Sequence, residues 1–228
     1  MVINNMEWIE RVPFHPPAWM FILLFLLIGI FAWIRMYYGT ILLQTIQASA
    51  NFQIASRMFQ DNSLLQKQLD NVLYLFYFLS AGFVLYVAET RFQLLPYGLS
   101  GPKLYFINFG FLTGYFMAKI VLVNLAGFLF NRTRIFREYL YNSFIFNKLF
   151  GITMIPLLIF VVYTTGILRE VFQWTAIVTV SAIFLMRIIR GIVFSFKKDV
   201  SIFYMFLYLC ALELAPLALF YRWLEGIL

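Results

Sequence analysis

The chain reads as an all-α, polytopic membrane helical bundle of about six transmembrane helices, and three observations predict this. Hydrophobic residues fill 63% of its 228 positions and charged residues 12%, against roughly 45–50% and about 25% in soluble domains. A water-soluble globule cannot hide that much apolar surface, because part of any fold must face water. Apolar runs also recur at close to the ~20 residues that cross a bilayer as a helix. Finally, the basic residues gather between those runs, so the net charge of +7 points to membrane topology and not to a nucleic-acid partner. No Gly/Ser linker, low-complexity tract or long polar stretch breaks the sequence. One transmembrane domain is expected over residues 1–228.

The spans are expected at 17–34, 71–88, 104–130, 148–166, 172–186 and 201–224. The first does not resemble a cleaved leader: Glu7 and Glu10 precede it, and Arg35 closes it. Pro96-Tyr97-Gly98 and Gly101-Pro102 mark a turn between the second and third spans. Pro156 and Pro216 fall inside spans four and six, where a kink is expected.

Residues 35–70 differ. Gln44, Gln47, Asn51, Gln53, Arg57 and Gln60 alternate with Tyr38, Leu42, Ile46, Phe52 and Met58 at approximately helical spacing. That pattern predicts helical extensions outside the bilayer. Ser63 followed by Gln66 fits a capping box at the start of the helix that becomes span two. Residues 132–147 suggest a separate interfacial helix, with Ile135, Phe136, Tyr139 and Leu140 beside Arg132, Arg134 and Arg137.

Lysine and arginine set the orientation. Segments 35–70, 131–148 and 187–198 hold eleven of them, and the segments on the other side hold five. The excess places the first group, extensions included, in the cytoplasm, with both termini outside. Trp19, Trp33, Trp174 and Trp223 fall near span ends, as an interfacial aromatic belt requires.

Most enzyme classes lack their parts here. The sequence has no His-Glu-x-x-His pattern, no Gly-x-Ser-x-Gly elbow and no phosphate-cradling glycine loop. Asp61, Asp70 and Asp199 form no cluster, His15 stands alone among prolines, and the lone Cys210 excludes an internal disulfide or a cysteine metal site. A non-enzymatic protein without a cofactor or metal is expected.

Two charges lie inside predicted spans: Lys119 in span three and Glu213 in span six. A charge near the bilayer centre costs about 2.5–3.5 kcal/mol even on insertion scales, so such groups face the bundle interior and find partners. Counted from the cytoplasmic end of each span, Lys119 lies ~17 Å deep and Glu213 ~18 Å deep, so an ion pair is feasible. It would either fix helix register or act as a gate or proton-carrying site. Asn108, Tyr115 and Lys119 share one face of span three, and Phe206, Cys210, Glu213 and Leu217 share one face of span six. Arg132, Arg134 and Arg137 are candidates for contact with lipid phosphates or a partner, or else ordinary positive-inside residues.

Three segments carry a family resemblance. They are Asn147-Lys148-Leu149-Phe150-Gly151-Ile152 with Pro156-Leu157, Tyr208-Leu209-Cys210-Ala211-Leu212-Glu213 with Pro216, and Lys119 with Gly127. From the second span onward the chain resembles the bacterial membrane proteins grouped as domain of unknown function 4271, found chiefly in the Bacteroidota. The resemblance implies a multi-pass protein in the inner membrane of a two-membrane bacterium, and it carries no activity with it. The leading functional expectation is an accessory subunit of a larger inner-membrane assembly, in envelope biogenesis or protein export. Its partners would be membrane lipids and other inner-membrane proteins. The alternative is a small transporter or lipid-handling protein that uses the intramembrane Lys119/Glu213 pair.

Overall fold

Pro17 stands immediately before the first helix, where a residue without an N–H costs nothing because the first turn has no acceptor for it. From there the computed structural model describes residues 17–61, 63–92, 101–129 and 131–197, and all their regular structure is α-helical. The order is α1 (Ala18–Ala50), α2 (Phe52–Gln60), α3 (Leu64–Phe92), α4 (Pro102–Leu129), α5 (Thr133–Tyr163) and α6 (Ile167–Lys197). All but α2 are long and apolar enough to cross a membrane. The sixth expected span, 201–224, lies outside the described residues.

The long helices outreach a bilayer. At 33 residues α1 is ~50 Å long, against a hydrocarbon core of ~30 Å. Its excess carries it past a break at Tyr38 (φ −127°, ψ 24°) to Asn51, whose side chain accepts from the Gln53 N–H at 2.9 Å and starts α2. The helical extensions expected over 35–70 are therefore present. They bury Leu42, Thr45 and Ala48 on α1, while Ile46, expected on the apolar stripe, is exposed. The end of the bundle where α1 finishes and α3 and α5 begin is called the extended end below.

The capping box forms by half. The Ser63 hydroxyl accepts from the Gln66 N–H at 3.3 Å, but the Gln66 side chain does not return to Ser63. It donates instead to Met58 O at 2.8 Å and to the Tyr141 hydroxyl at 3.0 Å, joining α3 to α2 and α5.

The separate interfacial helix expected at 132–147 does not exist. These residues are the first half of α5, which continues without interruption through Pro156. Arg132, Arg134 and Arg137 are exposed at its start, but the rest does not lie along a membrane surface, because every residue from Asn142 to Lys148 is buried. Helix α5 is the central strut: 56% of its apolar window is buried, against 22% in α1, α4 and α6, and it packs on all five other described helices.

Two glycines let the helices close on it. A Cβ on Gly127 would sit 3.1 Å from the Thr133 Cα where α4 turns into α5, and one on Gly151 would sit 3.2 Å from the Tyr77 Cα of α3. Away from the extended end, Met20, Leu24, Phe83, Tyr86, Tyr105, Met154 and Leu158 form an apolar core. Trp19, expected in an interfacial belt, packs edge-on against Tyr86 in this core, with ring centroids 4.9 Å apart. Outward faces stay apolar, as at Phe21, Phe25, Leu125 and Trp174.

Candidate functional site

Lys148 follows a run of buried residues on α5, and its spacing with Gly151, Ile155 and Leu158 puts it on the helix's packed face. Only 1% of its side chain is exposed. The ammonium donates to Asp70 Oδ1 of α3 at 2.5 Å, and it lies 4.8 Å from the Tyr74 ring centroid and 5.3 Å from that of Tyr141. One anion and two aromatic faces thus compensate a cation withdrawn from water. Gln66 fixes the Tyr141 hydroxyl from the far side, so the group spans α3 and α5 and touches α2 through Met58.

Nearly two turns toward the start of α5 lies a second polar group, organised by Arg190 of α6. Its guanidinium donates to Ser49 O at 2.9 Å, to Asn51 O at 3.2 Å and to Asn142 Oδ1 at 3.4 Å. It also lies over the rings of Phe52 and Phe146. The two carbonyls belong to the junction of α1 and α2, where helix ends leave backbone oxygens without intrahelical partners. Arg190 therefore clamps that junction to α5 and α6. Arg187 reaches Asn147 Oδ1 at 3.3 Å, and Ser56 of α2 donates to Glu138 of α5 at 3.1 Å. Together these contacts form a polar layer that ties α2 and the α1–α2 junction to α5 and α6.

On the polar stripe of α4, Asn108 and Lys119 are 2% and 1% exposed, and Tyr115 is half-buried beside them. The three share the face that packs toward α3 and α5. Asn108 donates to Glu89 Oε2 of α3 at 2.6 Å, so a buried carboxylate lies near the end opposite the extensions. Glu213 and Cys210 lie outside the described residues, and the expected Lys119–Glu213 pair with them. Arg132, Arg134 and Arg137 are all exposed, and the Arg132 N–H closes the α4–α5 turn onto Gly127 O at 3.0 Å. Among the described residues, no three His, Cys, Asp or Glu side chains come together as a metal site.

Sequence reasoning missed Asp70, Lys148, Arg190 and Glu89. All stand at or just beyond the ends of apolar runs, where a charge reads as a flanking residue. The available signal was facial: Asp70 is in helical register with Leu73 and Tyr77, and Lys148 with Gly151 and Ile155.

Fold and site together define a multi-pass helical membrane protein with a built polar layer at one end. The model of the family described as domain of unknown function (DUF4271) matches residues 20–224, and the chain belongs to that family. The match takes in the first span as well as the later segments that carry the resemblance. No curated protein and no solved structure matches the chain.

Proposed function

We propose that the protein is a non-enzymatic accessory subunit of a larger assembly in a bacterial inner membrane, serving envelope biogenesis or protein export. The observation that supports this reading is the polar layer at the extended end. Arg190 and the Asp70–Lys148 pair hold α2 and the first turns of α3 and α5 in one arrangement. The exposed Arg132, Arg134 and Arg137 stand at the start of the same α5. A surface fixed in this way loses little conformational freedom on binding, which favours a standing partner. The lysine and arginine count favours a cytoplasmic position for it, and the family resemblance favours an origin in the Bacteroidota.

The test is co-purification from mild detergent. Replacing Arg132, Arg134 and Arg137 together with Gln is expected to release partner proteins while the helical bundle keeps its thermal stability. Wild-type protein that purifies alone, and shows no partner on cross-linking in cells, would overturn the subunit reading.

A second reading rests on a different observation. Lys119 is almost fully enclosed on a face that also carries Asn108 and, through it, Glu89. A transporter whose coupling charges are Lys119 and Glu213 would use that face, with the Glu89–Asn108 contact near its outer end.

A further inference from the structure

Between α3, α5 and α6, toward the end opposite the extensions, runs a groove of about 270 Å³ whose walls are almost wholly apolar. Its three sides are in step. On α3 the lining runs from Arg91 down to Val84, on α5 from Val161 down to Met154, and on α6 from Gln173 down to Ser181. Each of these stretches rises ~10–12 Å at 1.5 Å per residue. The groove therefore follows the helix axes over most of the ~15 Å that one leaflet contributes to a ~30 Å hydrocarbon core.

Its polar groups sit mainly at the mouth. Arg91 is exposed there, near the last turn of α3, opposite Gln173 in the first turns of α6. Arg91 thus sets a positive charge at the level where lipid phosphates lie. Deeper in, Val87, Met154, Leu158 and Ile177 offer nothing to hydrogen-bond.

We propose that this groove is a binding site for one anionic phospholipid, its acyl chain between α3, α5 and α6 and its phosphate at Arg91. The site is separate from the polar layer at the extended end, so it stands or falls independently of the subunit reading. Lipid held in this way would stabilise the contact of α6 with α3, two helices that otherwise meet mainly through α5.

The experiment uses the full-length protein in detergent micelles, titrated with phosphatidylglycerol or phosphatidylcholine and read by native mass spectrometry. One phosphatidylglycerol per chain is expected, bound at least about fivefold more tightly than phosphatidylcholine, the preference one cation near a membrane surface gives. Arg91→Gln should remove that preference while leaving weak binding of both lipids. Ala176→Phe, which fills the groove, should abolish retention of both. A phosphatidylglycerol with a photoreactive group in its acyl chain should cross-link to the α6 stretch 173–181 of the wild-type protein, a readout that needs no variant. Equal binding of the two lipids, cross-links confined to other helices, or a dimer that Ala176→Phe dissociates would each overturn the proposal.

Discussion

The Lys148 ammonium of α5 and the Asp70 carboxylate of α3 meet at 2.5 Å across 78 residues of sequence, with Lys148 1% exposed and Asp70 16% exposed. The asymmetry in exposure has a consequence. Water can still reach Asp70 when its partner is gone, but it cannot reach Lys148. Breaking a buried ion pair by removing one partner costs about 3–5 kcal/mol, chiefly through the charge left behind. Asp70→Asn is therefore expected to destabilise the bundle more than Lys148→Met. The double variant should recover part of the loss, because no buried charge is left without a partner. Unfolding in mixed micelles measures all three. Additive losses, or the opposite order of the single variants, would refute this account of the pair.

Arg190 offers a sharper local readout. Its three hydrogen bonds include two to carbonyls at the α1–α2 junction, Ser49 and Asn51. A hydrogen bond to a charged group contributes about 1.5–3 kcal/mol, more than a tenfold change in an opening equilibrium. Arg190→Met should raise amide exchange over residues 49–60 at least tenfold and leave the apolar core around Phe83 and Leu158 unchanged. Lysine should rescue poorly, since a point charge cannot reach three acceptors in the fork a guanidinium provides. Uniform loosening of the whole protein would mean that Arg190 does not act as a local clamp.

What the sequence made legible follows from the sizes of the energies involved. A run such as 17–34 commits to a helix in lipid because no other backbone arrangement satisfies its peptide groups, and five expected spans coincide with described helices. The extensions were legible through polar and apolar alternation over 35–70, and Lys119 through the cost of its position. Asp70, Lys148 and Arg190 were not. A charge at the end of an apolar run looks the same in one dimension whether it reaches up to water or turns inward, and only the approach of a distant helix decides between the two. The same ambiguity hid the first half of α5. The composition of residues 132–147 suits a membrane surface, yet Asn142 and Ser143 are buried between α5 and α6 because Arg190 and its neighbours come to meet them.

Orientation is open to a direct measurement. Thr165 in the α5–α6 turn and Gln60 at the end of α2 are both exposed, and they lie at opposite ends of the bundle. In a Cys210→Ser background, Thr165→Cys should react with a membrane-impermeant thiol reagent added to cells with an intact inner membrane. Gln60→Cys should react only after permeabilisation. The reverse pattern would overturn the charge-based topology and move the proposed partner surface to the other side of the membrane. Asn142 is unsuitable as a reporter, because at 3% exposure a thiol there would stay silent on either side.

The final prediction concerns Lys119. Its side chain is 1% exposed and shares a packed face with Phe116 and Val123, so its charge has to be compensated within the protein. Glu213 has the matching depth in the expected sixth span, and the two helices would run in opposite directions. If they pair, Lys119→Met or Glu213→Gln alone should lower stability by about 3 kcal/mol or more, and the double change should lower it by clearly less than the sum. Strict additivity would rule the pair out. The same variants also distinguish a structural pair from a coupling one. In a subunit the pair sets helix register, so the double variant, once stable, should keep both its partners and its cellular role. In a transporter the carboxylate has to change protonation during each cycle. Glu213→Gln would then abolish the cellular role at normal abundance, and restoring stability with Lys119→Met would not bring it back. Complementation by the double variant, measured beside its abundance in the membrane, decides between the two readings.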